Sequence, residues 1–199
     1  MKPKRLSTKF FSMAVPALFL SILFSLVFFT GTVQADRSFD MQQVSVQGEL
    51  LPDASMKVTE SYTIDFSGQW NGFFVGIPQG DTPIKDVVVS ENGQAYEFNP
   101  GEDYGPPGTY LVKEEGDNLL IDWSIDASDE TRTFTISYQV INAVKVHKDV
   151  AEFYRKFIGE ANQQPIGQVD VTLRLPPGAE EYKQGEDIRI WGHGPLRSE

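Results

Sequence analysis

Residues 56–66 read MKVTESYTIDF, and their alternation decides the fold. Met56, Val58, Tyr62, Ile64 and Phe66 share one face, while Lys57, Thr59, Ser61, Thr63 and Asp65 share the other. Successive side chains of a strand point to opposite faces, so this pattern predicts a strand with one side buried. Glu60 is the exception, a carboxylate on the apolar face between Val58 and Tyr62. A buried carboxylate needs a partner or a raised pKa. Glu60 is therefore either a rim position or a structural pair with an arginine or tyrosine, or else a candidate functional carboxylate in a cleft.

The same period runs outward from this stretch. Phe73, Val75 and Ile77 alternate up to Pro78, and Val87 and Val89 lead into Glu91-Asn92-Gly93-Gln94. Asn-Gly between alternating runs predicts a tight hairpin, because both residues accept positive φ. A second hairpin is expected from Tyr110-Leu111-Val112 through Gly116-Asp117 to Leu119–Ile125. Phe134, Ile136, Tyr138 and Val140 form another strand, and Val169, Val171, Leu173 and Leu175 one more, closed by Pro176-Pro177-Gly178. Residues 99–108, rich in proline and glycine, predict a loop. Together these predict a mainly β fold, an antiparallel β-sandwich of immunoglobulin-like or jelly-roll-like type.

One segment departs from period two. Val150, Phe153, Tyr154, Phe157 and Ile158 recur at helical spacing, with Asp149 as N-cap and Gly159 as C-cap. This predicts one amphipathic helix at 149–158, its aromatic stripe packed on the core.

The N-terminus carries an address. Lys2, Lys4, Arg5 and Lys9 precede an uncharged apolar run that closes at Val33-Gln34-Ala35. That is the layout of a signal peptide cleaved between Ala35 and Asp36, and the run is also long enough to remain as a signal anchor. Residues 1–35 are thus the signal and 36–199 an exported β-sandwich domain on the extracellular face. The end at Glu199, with no closing element, suggests a truncated chain.

Removing residues 1–35 leaves 13 basic against 28 acidic side chains, a formal charge of −15. Such a surface repels nucleic acid, so a nucleic-acid partner is not expected. Cysteine is absent, so no disulfide can staple the domain, and a Gram-positive origin fits an exported chain without one. About 160 residues can bury a sufficient core.

No catalytic machinery is visible. The chain holds no nucleophile elbow, no phosphate loop and no paired histidine spacing for zinc, so no cofactor and no catalytic residue is expected. Its two histidines are His147 and His193, the latter in the glycine-flanked turn 191–195. Weak calcium candidates are Glu102, Asp103, Asp126 and Asp129, none with EF-hand spacing.

The stretch VTESYTIDFSGQWNGFFVGIP (58–78), with Val58-Thr59-Glu60, Phe66, Gly72 and Ile77-Pro78, resembles the exported N-terminal region of a bacterial predicted-membrane-protein family, domain of unknown function 2207. FTISYQV, DVAEFYRKFIG, VDVTLRLP and WGHGPL extend the resemblance over residues 39–196. The chain departs from the family pattern at Val75-Gly76 and at Arg155. The resemblance implies an exported β domain followed by membrane spans, and transfers no catalytic residue. The expectation is an uncharacterised extracytoplasmic domain of a membrane-anchored protein, a binding or cell-envelope-organising module without catalysis. The alternatives are a cell-envelope hydrolase using paired carboxylates and a calcium-dependent adhesion module.

Overall fold

The strand that begins with residues 56–66 runs on to Pro78, and the one that ends with residues 134–140 begins at Asn118, so the domain is built on two very long strands. The computed structural model describes residues 37–101, 103–159 and 164–192. In chain order the strands are β1 (Ser38–Leu50), β2 (Met56–Pro78), β3 (Ile84–Glu91), β4 (Gln94–Ala95), β5 (Glu97–Phe98), β6 (Thr109–Glu115), β7 (Asn118–Val140), β8 (Val144–Val146), β9 (Ala151–Phe153) and β10 (Ile166–Arg174). A 3₁₀ turn occupies Ala179–Glu181.

Strands β2 and β7 pair antiparallel along their whole length and form the spine of one sheet. Their Met56–Phe66 and Glu130–Val140 halves lie in the order β10-β1-β2-β7-β3-β4. Their other halves, Gly72–Pro78 and Asn118–Ser124, continue into β6 and β5.

The sheet folds back on itself. Trp123 and Phe134 lie eleven residues apart on β7, about 36 Å if the strand were straight, yet their ring centroids are 5.3 Å apart. Phe66 and Phe73 on β2 are likewise brought to 5.8 Å. The bend coincides with register shifts between Phe66 and Gln69 and between Trp70 and Gly72, where bulges increase local twist. Gly68 has φ 77° and Asp129 φ 50°, and the Gly68 N–H donates to Asp129 Oδ1 at 2.7 Å. The apolar faces of the two halves close on a core that includes Phe66, Ile121, Trp123, Phe134 and Ile136.

The mainly β architecture expected from the sequence holds, with two differences. The layers are continuous through the bent spine. The sheet is also mixed, because β10 joins β1 and β5 joins β6 in parallel. Both hairpins form where predicted: Glu91 pairs with Gln94 across Asn92-Gly93, both at positive φ, and Glu115 pairs with Asn118 across Gly116-Asp117.

The helix expected at 149–158 does not exist. Ala151–Phe153 is strand β9, paired with β8 in a separate two-stranded sheet, and residues 154–158 hold no helix. Burial here follows period two: Phe153, Arg155 and Phe157 are half-buried, while Glu152, Tyr154 and Lys156 are exposed. The helical stripe arose because Arg155 reads as polar and so seemed to belong on the solvent side. Val150 and Tyr154, placed in that stripe, are 59% and 82% exposed.

Candidate functional site

Strand alternation points Glu60 and Tyr62 of β2 inward together, and the β2–β7 register sets Tyr138 opposite Val58, diagonal to Glu60. Glu60 is 1% exposed, with Val46 of β1 on one side and Ile136 of β7 on the other, both fully buried. The carboxylate is nevertheless satisfied. Tyr62 Oη donates to Oε2 and Tyr138 Oη donates to Oε1, both in short hydrogen bonds. Arg155 closes the cluster from the segment after β9. Its Nη2 donates to Tyr138 Oη at 3.2 Å, and its guanidinium lies 5.6 Å from the Tyr138 ring centre. Arg155 Nε is buried without a hydrogen-bond partner.

The electrostatics are those of a desolvated acid. Burial pushes the Glu60 carboxyl above the ordinary value, against the lowering pull of the Tyr138 and Tyr62 hydroxyls and the Arg155 charge. Burial and the adjacent Glu60 push both tyrosines well above their ordinary range, so neither is a ready base. The groups hydrogen-bonded to the carboxylate are phenols rather than a second carboxylate.

A second carboxylate cluster braces the other edge of the domain. Glu91 at the end of β3 accepts from Arg132 Nε through Oε1 at 2.6 Å, from Arg132 Nη2 through Oε2, and from Tyr96 Oη at 2.8 Å. Burial raises the Glu91 carboxyl, but the hydrogen bonds from Arg132 and Tyr96 and the Arg132 charge outweigh it and leave it lowered. Burial and Glu91 raise Tyr96. Asp122 is a further buried acid, 7% exposed on the outward side of β7. Burial raises it, and the Lys113 charge and a hydrogen bond from Tyr104 oppose that.

The calcium candidates are dispersed among other tasks. Asp129 caps Gly68, Asp126 Oδ1 accepts from Gln69 Nε2 at 2.6 Å, and the Asp103 carbonyl accepts from Asn99 Nδ2. Among the described residues no three His, Asp or Glu side chains gather as a metal site. Glu102, His193, Ala35 and Asp36 lie outside the described residues, as does the N-terminal apolar run. Among the described residues no helix is long and apolar enough to cross a membrane. His147 lies 3.5 Å from Glu152 on the exposed β8–β9 hairpin.

Sequence reasoning singled out Glu60 but missed Arg155, Tyr138 and Asp122. Arg155 was hidden by the false helical period. Tyr138 stood on an apolar face, yet its neighbour lies 78 residues away and only the strand register joins them. For Asp122 no local signal existed, since Lys113 and Tyr104, which act on its carboxyl, come from other segments of the chain.

Comparison with known proteins adds the following. Residues 40–199 match the family described as Predicted membrane protein (DUF2207) N-terminal domain. No curated protein matches the sequence. Among solved structures, the M1 zinc metallopeptidase from Deinococcus radiodurans is similar at 10% identity and a TM-score of 0.40, covering 71% of this chain and 33% of that one. A two-domain M1 zinc metallopeptidase variant bound to L-arginine is similar at 9% identity and a TM-score of 0.38, with 71% and 33% covered. The chain spans about a third of the length of these two structures.

Proposed function

The chain belongs to the DUF2207 family of predicted membrane proteins, as their N-terminal domain, and on that premise we propose that it is an exported module held at the outer face of the membrane, which binds or organises envelope components without catalysis. Residues 1–35 are its signal peptide or signal anchor, and the residues from 36 onward are the exported β domain. The basic side chains before the apolar run favour retention of the N-terminus on the cytoplasmic side.

The observation that carries the non-catalytic reading is the saturation of Glu60. Its two oxygens are engaged by Tyr62 and Tyr138, and the residue is 1% exposed. A catalytic acid needs access to the proton it transfers. A carboxylate enclosed by its own strand, the facing strand and a third segment instead ties those elements together. On this reading Arg155 is a structural residue, holding the segment after β9 against β7.

The topology is tested by labelling intact cells. The natural chain has no cysteine, so the full chain carrying Glu115→Cys at the exposed end of β6 presents a single thiol. A membrane-impermeant maleimide is expected to label it without lysis, on protein that sediments with membranes. Labelling only after lysis, or protein confined to the soluble cytoplasmic fraction, contradicts the proposal.

A further inference from the structure

The margins of the sheet are closed unequally. Strands β4 and β5 are two residues each, too short to template another strand. Strand β10 is nine residues, lies at the end of the sheet order and is hydrogen-bonded to β1. Among the described residues no strand pairs with its other side. Residues 166–174 hold neither lysine nor proline, the usual guards of an open edge. Every residue from Gly167 to Thr172 is exposed.

The apolar face of the sheet runs out onto this strand. Val169 and Val171 stand in register with Val44 and Val46 of β1, on the same face. Val44 and Val46 are 0% and 1% exposed, whereas Val169 and Val171 are 43% and 46% exposed and Leu175 is 38% exposed. A row of backbone donors and acceptors beside a half-open apolar face is completed by one more strand. The main chain then supplies affinity and the side chains supply the choice of partner.

The side chains of β10 choose a second copy of β10. In an antiparallel pair a one-residue slip would turn polar side chains onto the core face, which leaves the registers that set Val169 and Val171 against apolar partners. Under two-fold symmetry, the register centred on Thr172 sets Asp170 opposite Arg174 of the second copy, and does so twice. It also sets Val171 opposite Leu173 and Val169 opposite Leu175. Centring on Asp170 would face two aspartates, which is unfavourable, and centring on Val171 or Leu173 opposes neither charge to its opposite. Asp170 Oδ2 accepts from Gln43 Nε2 at 3.1 Å and from Gln168 Nε2 at 2.8 Å, which fixes the carboxylate on the outer face of the strand. Residues 166–176 hold one acid and one base, so this edge adds no net repulsion to the excess acid of the domain.

We infer that β10 pairs antiparallel with β10 of a second copy of the chain, about a two-fold axis at Thr172, and joins two domains into one continuous sheet. The inference goes beyond the membrane-held reading above and does not depend on it.

The natural chain has no cysteine, so the full chain with Thr172→Cys or Gln168→Cys as its only thiol is purified in mild detergent and oxidised with copper phenanthroline. Residues directly opposite in an antiparallel pair lie about 4.5–5.5 Å apart at Cα, within reach of a disulfide. Position 168 would stand about 26 Å from its copy, eight residues along the strand. A reducible dimer is expected at 172, with about threefold less or lower still at 168. Asp170→Arg added to Thr172→Cys sets arginine against arginine and is expected to cut the dimer about threefold or more, and adding Arg174→Asp as well is expected to restore it. Unchanged tryptophan emission confirms that the variants are folded.

Absence of a dimer at 172 in a folded chain overturns the pairing. Equal cross-linking at 168 and 172 overturns the antiparallel register and points to association through another part of the chain. Cross-linking that ignores the charge reversal, or that the double exchange does not restore, overturns the opposition of Asp170 to Arg174.

Discussion

The Tyr138 hydroxyl donates to Glu60 Oε1 across a sequence separation of 78 residues. That contact joins β7 to β2 in the interior, and Arg155 extends it to the segment after β9. Replacing either tyrosine by phenylalanine leaves a buried carboxylate oxygen with one fewer donor. Tyr62→Phe is expected to destabilise the domain by about 1–3 kcal/mol. Tyr138→Phe is expected to cost more, because it also strips the acceptor from Arg155 Nη2. Urea unfolding in mild detergent, followed by tryptophan emission, measures both; equal and negligible losses would contradict the arrangement.

The pH dependence of stability follows from two acids displaced in opposite directions. Glu60 is raised above its ordinary 4.5, so above that value the folded state holds more proton than the unfolded one. Its contribution is fully present below the unfolded pKa and is lost as pH rises through the folded pKa. Glu91 is lowered from the same reference, so its contribution is present above the unfolded pKa and is lost as pH falls through the folded one. Midpoints of wild type and Glu60→Gln measured from pH 4 to 8 are expected to shift in the variant's favour as pH rises. Parallel profiles would rule out the raised carboxyl.

The Arg132–Glu91 pair predicts a measurable coupling. Its side chains are only 19% and 12% exposed, and two nitrogens meet two oxygens. A double-mutant cycle of Arg132→Ala and Glu91→Ala is expected to give about 1–2 kcal/mol, more than an exposed ion pair supplies. Additive losses would show that the fork contributes nothing beyond its parts.

At the bend, Gly68→Ala is expected to cost about 1–2 kcal/mol, since φ 77° is left-handed and the new Cβ would stand 3.3 Å from Arg37 Cβ. Asp129→Ala removes the acceptor for the Gly68 N–H and is expected to destabilise the domain equally with or without calcium. A large calcium-dependent rise in the melting temperature of wild type, abolished by Asp129→Ala, would instead support a metal at the bend.

Gly167 of β10 lies close against the backbone of β1. An added Cβ would lie 2.7 Å from the Gln42 carbonyl oxygen, closer than real Cβ contacts allow. Gly167→Ala is expected to raise hydrogen exchange along Ile166–Arg174 while leaving β2 and β7 protected. Uniform loss of protection would mean that β10 is integral to the spine.

The strands were legible because their period is local: Met56–Phe66 and Phe134–Val140 each declare one apolar face. Their fusion into 23-residue strands was not, because Gly68 and the polar residues around 126–132 look like loop punctuation when they are bulges in a continuous ladder. Glu60 was legible as a conflict with its own strand, since burial of a carboxylate breaks the binary pattern. Its partners were not, because Tyr62 and Tyr138 fit the apolar face and a hydrophobic reading assigns them no polar task. Arg155 was misplaced by a five-residue coincidence of helical spacing. A segment whose second strand is three residues long is too short for the true period to outvote it.

Glu60 holds the interior together, and this role is measured by a double-mutant cycle of Glu60→Gln and Tyr138→Phe, read by urea unfolding of the full chain in detergent at pH 7. The two changes are expected to be non-additive, with a coupling of about 1–3 kcal/mol. Additivity within about 0.3–0.5 kcal/mol would contradict a structural role and return Glu60 to the candidates for chemistry.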